Sequence, residues 1–200
     1  MSLVDAQVRE RRVLDEVIHL DARISVQREW LCLPAGPEGP PLAVERTVQL
    51  CGASAPPVIL IHGFAQNRYT WRLSTRSLCG FLAARGHEVL NVELRGHGLS
   101  RDWGSPSALD FHDYVQDVGR VARRCAAPPF VVGHSLGGAV GIGLATSVPL
   151  RGLVHLAGVY GFASHNHTLR ALAWLTRAWE PVLRRAPLRV RTRLAGRARS

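Results

Sequence analysis

The spacing of apolar residues changes near residue 58, so the chain shows two successive patterns. In the first twenty residues, apolar positions recur at roughly helical spacing between charged ones, which predicts an amphipathic helix over residues 1–23. Two extended runs follow at 24–33 and 42–50, separated by the breaker-rich segment PAGPEGPP. This arrangement predicts an antiparallel hairpin ahead of the second pattern.

From residue 58 onward, short apolar runs alternate with segments of helical periodicity. Strands are predicted at 58–61, 88–94, 130–132 and 150–156, and helices at 69–85, 109–125 and 136–148. Strands that alternate with helices form a predominantly parallel sheet with helices on both faces. The sequence therefore predicts an α/β core over 24–160, with an antiparallel N-terminal hairpin, followed by a helical segment over 161–200.

Length and composition fit one packed domain. The 200 residues are 46% hydrophobic and 20% charged, which is enough apolar material for a core. Four scattered cysteines without C-x-x-C spacing predict reduced, mostly buried thiols instead of a zinc site. There is no signal-peptide pattern, and no window reaches the ~20 apolar residues of a membrane span. We expect a cytoplasmic protein without a membrane span.

The net charge of +10 is concentrated in the last third of the chain. Every basic residue is Arg, and Glu180 is the only acid after Ser135. An arginine-rich segment of this kind can bind a polyanion, so an RNA- or membrane-binding arm at 184–199 is one hypothesis. Aromatic residues that could stack on bases are absent from that stretch, which argues against nucleic-acid recognition.

The segment GHSLGG at 133–138 carries the clearest candidate chemistry. A G-x-S-x-G pattern between a strand and a helix is typical of a sharp turn that holds the serine in a strained, exposed conformation. Small residues on either side let neighbouring backbone approach, and the following helix directs its positive N-terminal end to the same place. Ser135 is therefore a candidate nucleophile. The alternative is a glycine-rich turn that only packs a helix against a strand.

Two further motifs follow predicted strand ends. In LIHGF at 60–64, the loop could present the Phe64 N–H, which with the Leu136 N–H would meet the oxyanion of an acyl-transfer reaction. His62 itself is predicted to be a structural histidine inside that loop. In ELRGHGLS at 93–100, glycines suit a tight turn and charged residues are predicted to brace neighbouring loops, with a substrate-facing role as the alternative.

These three motifs, in this order and at these separations, resemble the α/β-hydrolase fold family over about residues 20–160. The resemblance implies that Ser135 is the nucleophile and that the Phe64 and Leu136 backbone N–H groups form the oxyanion hole. It implies a small-molecule ester or similar acyl substrate. The family includes esterases, lipases, haloperoxidase-like enzymes and C–C bond hydrolases. It typically needs no metal or organic cofactor, so neither is expected here.

The chain departs from the family pattern after Ser135. In the family, an Asp or Glu and then a His follow the serine on later strand-end loops. Here no Asp follows, and the later histidines are His155, His165 and His167. His155 lies in a predicted strand and is expected to pack into the sheet. His165 and His167 are possible accessory residues, as are His62 and His134, and two histidines without a third ligand do not make a metal site.

The acid and the base of a triad are therefore not identifiable in this chain. We expect an α/β-hydrolase fold truncated after about six strands, at the start of a helical cap. Two hypotheses of function follow. The first is a serine hydrolase that is weakly active or inactive as this chain, because a serine without its base is a weak nucleophile. The second is a catalytically inactive, hydrolase-like binding module.

Overall fold

The computed structural model describes residues 6–158 and Trp174. The chain divides into two compact units, Met1–Tyr160 and Gly161–Ser200. In the second unit only Trp174 is described, so the predicted helical cap, the arginine-rich arm, His165 and His167 lie outside the described residues.

The first unit begins with four successive strands, and helices are interspersed with the strands that follow. The strands are β1 (Gln7–His19), β2 (Ala22–Leu33), β3 (Leu42–Gln49), β4 (Ala55–Ile61), β5 (Arg72–Leu73), β6 (Arg76–Ser77), β7 (His87–Glu93), β8 (Phe130–His134) and β9 (Gly152–Leu156). The helices are α1 (Leu78–Ala83), α2 (Gly98–Asp102), α3 (Phe111–Arg123) and α4 (Leu136–Ala145), with a 3₁₀ turn at Arg68–Trp71.

The strands of the described residues form one mixed sheet in the order β5-β6-β1-β2-β3-β7-β4-β8-β9. β1, β2, β3 and β7 pair antiparallel, whereas β7, β4, β8 and β9 pair parallel. The α/β class, the antiparallel start and the parallel core are confirmed. The predicted count of about six strands is wrong, because the described sheet has nine, with β1, β5 and β6 in addition to those predicted. The carboxyl ends of β4, β7 and β8 meet at one edge, which gathers the three sequence motifs there.

The predicted N-terminal helix over 1–23 is wrong, because residues 7–19 form β1. This strand pairs with β2 along its length, from Gln7 opposite Cys32 to His19 opposite Ala22. The apolar spacing is compatible with both structures, but several of the apolar residues are β-branched, which favours a strand. The sheet therefore begins before residue 24, and its antiparallel part is wider than predicted.

The helix predicted at 69–85 is also largely wrong. Its first part folds as the 3₁₀ turn and the short strands β5 and β6, and only Leu78–Ala83 is α-helical. Ser77 caps this short helix by accepting a hydrogen bond from the Gly80 N–H at 2.9 Å.

Helices cover both faces of the sheet, as predicted. On one face, α3 and α4 pack on a core that includes Leu31, Val44, Ile59, Val92, Val118 and Leu144. On the other face, α1 packs on a smaller core that includes Val26, Leu60, Cys79, Ala83 and Val89. All four cysteines are free; Cys32 and Cys79 are buried, Cys125 is half-buried and Cys51 is exposed.

Buried charges are paired inside the antiparallel part of the sheet. Arg46 binds Glu29 at 2.8 Å and Glu88 at 2.5 Å, and Arg28 binds Glu16. Arginine suits such sites because its planar guanidinium can bind more than one carboxylate. Internal carboxylates thus occupy these arginines, which leaves them unavailable to an external polyanion.

None of the helices within residues 6–158 and Trp174 has the length and apolar character that a membrane-spanning helix requires. The same residues contain no group of three or more His, Cys, Asp or Glu that could hold a metal ion.

Candidate active site

Ser135 occupies the sharp turn between β8 and α4. Its backbone has φ 52° and ψ −114°, in the left-handed half of conformational space that a residue with a side chain rarely adopts. Its N–H donates to the Leu156 carbonyl of β9 at 2.8 Å, and its own carbonyl accepts the Gly138 N–H at 3.0 Å. These bonds hold the strained residue between the last strand of the described sheet and the first turn of α4.

Glycine is required on both sides of Ser135 because backbone passes too close for a side chain. A methyl group on Gly133 would overlap the Gly137 carbonyl, and one on Gly137 would overlap the Ile61 carbonyl and lie 2.7 Å from the His62 carbonyl oxygen. The elbow is therefore packed directly against the end of β4. The loop that follows β4 is brought next to Ser135 by this contact.

Two backbone N–H groups at this junction are available as donors. Leu136 is the first residue of α4, and Phe64 lies in the loop after β4. Within the described part of the chain, neither N–H donates a hydrogen bond to a protein acceptor. The first N–H groups of a helix have no intrahelical acceptor and carry its positive end, so Leu136 is suited to bind an anion.

His62 is part of the scaffold. It is fully buried; the Leu94 N–H donates to its Nε2 at 3.1 Å, so its Nδ1 carries the proton and donates to the Gly63 carbonyl at 2.8 Å. Burial lowers the pKa of His62 from 6.5 to about 4, with a smaller contribution from His97. With both ring nitrogens bonded to backbone, His62 joins the ends of β4 and β7, as the structural interpretation predicted.

The buried His62 is expected to make stability depend on pH. Because the folded pKa of about 4 lies below the unfolded value of 6.5, its contribution is complete above pH 6.5 and is lost as the pH falls towards 4. The loss is about 1.4 kcal/mol per pH unit and about 3 kcal/mol in total. Denaturant unfolding between pH 7.5 and 5 measures this slope, and an NMR titration of the His62 ring gives the folded pKa directly.

The matched control is His112→Gln, since His112 is exposed on α3. This variant should retain the wild-type slope, whereas His62→Gln should lose the His62 part of it. A His62 ring that titrates near pH 6.5 in the folded protein would contradict the prediction.

His134 precedes Ser135 and contacts the loop after β4. Its Nδ1 lies 3.0 Å from the Gln66 side-chain oxygen, and the same oxygen accepts the Gly63 N–H at 2.9 Å. The sequence reasoning named His134 as an accessory residue but missed Gln66, because a side-chain contact across 68 positions leaves no local pattern.

The 93–100 motif braces this edge of the sheet, as predicted. The buried Glu93 carboxylate accepts the Leu99 N–H at 2.6 Å and the Arg68 N–H at 3.1 Å. Arg95 forms a two-pronged pair with the Asp117 carboxylate of α3, at 2.6 and 2.8 Å. The loops after β4 and β7 are therefore tied to each other and to α3.

His97 is a further histidine near the site that the sequence reasoning did not single out. Its ring centroid lies 5.1 Å from that of His62, 6.5 Å from that of Phe64 and 6.3 Å from that of Tyr114. Its Nδ1 lies 2.9 Å from the Arg95 carbonyl oxygen. Phe64 is 73% exposed and His62 is fully buried, so His97 contacts one exposed and one buried ring.

The described residues place no base on Ser135. Among them, no histidine or carboxylate is hydrogen-bonded to the Ser135 hydroxyl. His155 lies on β9, with its ring against Gly138 and Gly158, which agrees with its predicted packing role.

Comparison with known proteins agrees with this fold and this arrangement of motifs. The model of the alpha/beta hydrolase family matches residues 58–199. The chain belongs to the alpha/beta hydrolase family.

Relatives within the family differ in the substrates that their names indicate. The chain is 35% identical over 141 residues to esterase Rv0045c of Mycobacterium tuberculosis, covering 66% of this chain and 45% of that protein. It is 34% identical over 109 residues to epoxide hydrolase B of the same organism, covering 54% of this chain and 28% of that protein. The chain thus spans less than half the length of these curated relatives.

A solved structure shows the same fold. The monoacylglycerol lipase of Paleococcus ferrophilus aligns with a TM-score of 0.51 at 22% identity, over 70% of this chain and 52% of that one.

Proposed function

We propose that this chain carries the nucleophile and oxyanion-binding part of a serine hydrolase that acts on an ester or similar acyl substrate. The observation that carries the proposal is the elbow: Ser135 has φ 52° at the start of α4, and α4 packs on the end of β4, whose following loop contains Phe64. In this reaction the Ser135 hydroxyl attacks the acyl carbon, and the two N–H groups bind the oxygen that becomes negative.

The chemistry of a hydroxyl nucleophile favours esters over epoxides, although the relatives include both kinds of hydrolase. Attack by Ser135 on an acyl carbon expels the alcohol and leaves an acyl-serine ester, which water can cleave to restore the serine. Attack on an epoxide carbon would leave an ether, which water does not readily cleave, so turnover would stop after one event.

The substrate class can be tested by trapping the adduct on the intact 200-residue chain. After incubation with p-nitrophenyl butyrate, intact-mass and peptide mass spectrometry should show a butyryl group on the peptide that contains Ser135. After incubation with styrene oxide, the same peptide should be unmodified. We expect slow acylation, because no general base contacts Ser135 in the described residues.

The outcomes separate the hypotheses. Acylation of Ser135 supports the proposal, and alkylation of Ser135 by the epoxide contradicts the assigned substrate class. Absence of any acyl adduct, together with thermal stabilisation by the ester's acid product, would point to a hydrolase-like binding module that does not react.

A further inference from the structure

A single side-chain oxygen joins the loop after β4 to the nucleophile elbow. Gln66 Oε1 accepts the Gly63 N–H at 2.9 Å and lies 3.0 Å from His134 Nδ1 and 3.3 Å from Thr70 Oγ1. The Gln66 N–H in turn donates to the Gly63 carbonyl at 3.2 Å. The amide of Gln66 thus closes its own loop and reaches the residue next to Ser135.

The directions of these bonds can be assigned from the chemistry of the partners. The Gly63 N–H needs an acceptor, so the Gln66 atom that it contacts is the carbonyl oxygen and not the amide nitrogen. An oxygen that accepts from Gly63 can only accept from His134, so the His134 Nδ1 carries a proton and donates. The contact therefore requires a hydrogen-bond acceptor at residue 66 and a donor at residue 134.

This contact spans the two halves of the proposed oxyanion hole. Phe64 lies between Gly63 and Gln66, whose bonds close the loop, and Leu136 lies two residues after His134. An oxyanion hole works only when its donors are held where the negative oxygen forms, and small displacements of such groups lower the rate. Both side chains lie close to Gly63, since a methyl group added there would be 2.7 Å from Gln66 Oε1 and 3.0 Å from His134 Nδ1.

We propose that Gln66 is a positioning residue, which holds the Phe64 N–H at its place relative to Ser135 and Leu136 through the paired hydrogen bonds to Gly63 and His134. The role of Gln66 in catalysis rests on the function proposed above. Gln66 does not touch the reacting atoms in this role, and its side chain is solvent-exposed, so each bond competes with water and contributes modestly.

Amide NMR tests the contact without any need for activity. Gln66→Met keeps the length of the side chain and removes the acceptor, and it should shift the Gly63, Phe64 and Leu136 amide resonances. His134→Leu should shift the same resonances, and the double variant should shift them no further. Gln66→Glu retains an acceptor oxygen and should restore the wild-type shifts. Unchanged Gly63 and Leu136 resonances in Gln66→Met would overturn the proposal.

Asn67→Ala is the matched control in the same loop. The Asn67 side chain accepts the Tyr69 N–H at 3.0 Å and does not contact the elbow. This variant should shift the Tyr69 resonance and leave Leu136 unchanged.

The rate of Ser135 phosphonylation by a fluorophosphonate tests the catalytic role. Gln66→Met should lower the maximal labelling rate about tenfold and leave unchanged the fluorophosphonate concentration that gives half of that rate. Gln66→Glu should recover most of the wild-type rate. A wild-type rate in Gln66→Met, with labelling still dependent on Ser135, overturns the positioning role and leaves the proposed function standing. Failure of the wild-type chain to be labelled overturns the proposed function, and with it the catalytic role of Gln66, even where the amide shifts show the bond.

Discussion

Replacing Ser135 with alanine is expected to abolish labelling by a fluorophosphonate probe. In the wild-type chain the Ser135 oxygen attacks phosphorus, fluoride leaves, and a phosphonylated serine remains. We expect this labelling to be slow, because no described histidine or carboxylate contacts the hydroxyl. Without the hydroxyl, labelling should fall to the background of the other serines, by at least about a hundredfold.

The control for this experiment is Ser147→Ala. Ser147 lies just after α4 and its hydroxyl donates to the Leu144 carbonyl at 3.3 Å, away from the elbow. The Ser147→Ala variant should be labelled at the same rate as the wild-type chain. Alanine at 135 must adopt the same positive φ as serine, so the thermal unfolding temperature should change little. Persistent labelling of Ser135→Ala, or a label that maps to another residue, would show that Ser135 is not the nucleophile.

Replacing Gly137 with alanine is expected to cause the largest loss of stability. The added methyl group would overlap the Ile61 carbonyl, which belongs to the buried strand β4 and cannot rotate away. Because the overlap is with backbone, relief requires α4 to move from the sheet. We expect a loss of about 3 kcal/mol or more in the free energy of unfolding, measured by denaturant titration followed by circular dichroism.

Alanine substitutions at two other glycines distinguish the effect of steric overlap from the effect of a strained backbone conformation. Gly36 has open space around it and no positive φ, so Gly36→Ala should change stability by no more than about 0.5 kcal/mol. Gly52 also has open space but a φ of 90°, so Gly52→Ala should cost about 1 kcal/mol from strain alone. If Gly137→Ala lowered the free energy of unfolding no more than Gly52→Ala does, the result would contradict the close packing of α4 on β4.

The parts of the fold that follow from local periodicity could be predicted from the sequence. The strands around 58–61, 130–132 and 150–156, and the helices α3 and α4, have apolar runs or helical spacing that a single segment displays on its own. The elbow was also visible, because its glycines stand within two residues of Ser135. The identity of the family followed from motifs whose order along the chain is itself sequence information.

The features that could not be predicted from the sequence depend on contacts between residues that are far apart along the chain. β1 has charged residues throughout, and only pairing with β2 makes it a strand, so its apolar spacing alone favoured a helix. The segment after the 3₁₀ turn likewise folds as short strands, β6 pairing with β1 at His19 and Arg76. In the site, the contact from Gln66 to His134 joins the loop after β4 to the last residue of β8. No spacing rule connects such residues, so only the folded chain brings them together.

The hydrogen bond from the Ser135 N–H to the Leu156 carbonyl makes the Ser135 amide proton a probe of motion at the site. Because the acceptor belongs to the final residue of β9, the exchange rate of one amide proton measures how often this strand separates from the elbow. A ligand that tightens the elbow should slow this exchange, and a substitution that loosens β9 should speed it. Substrate binding could thus be followed at the strained residue itself, even in a chain that turns over no substrate.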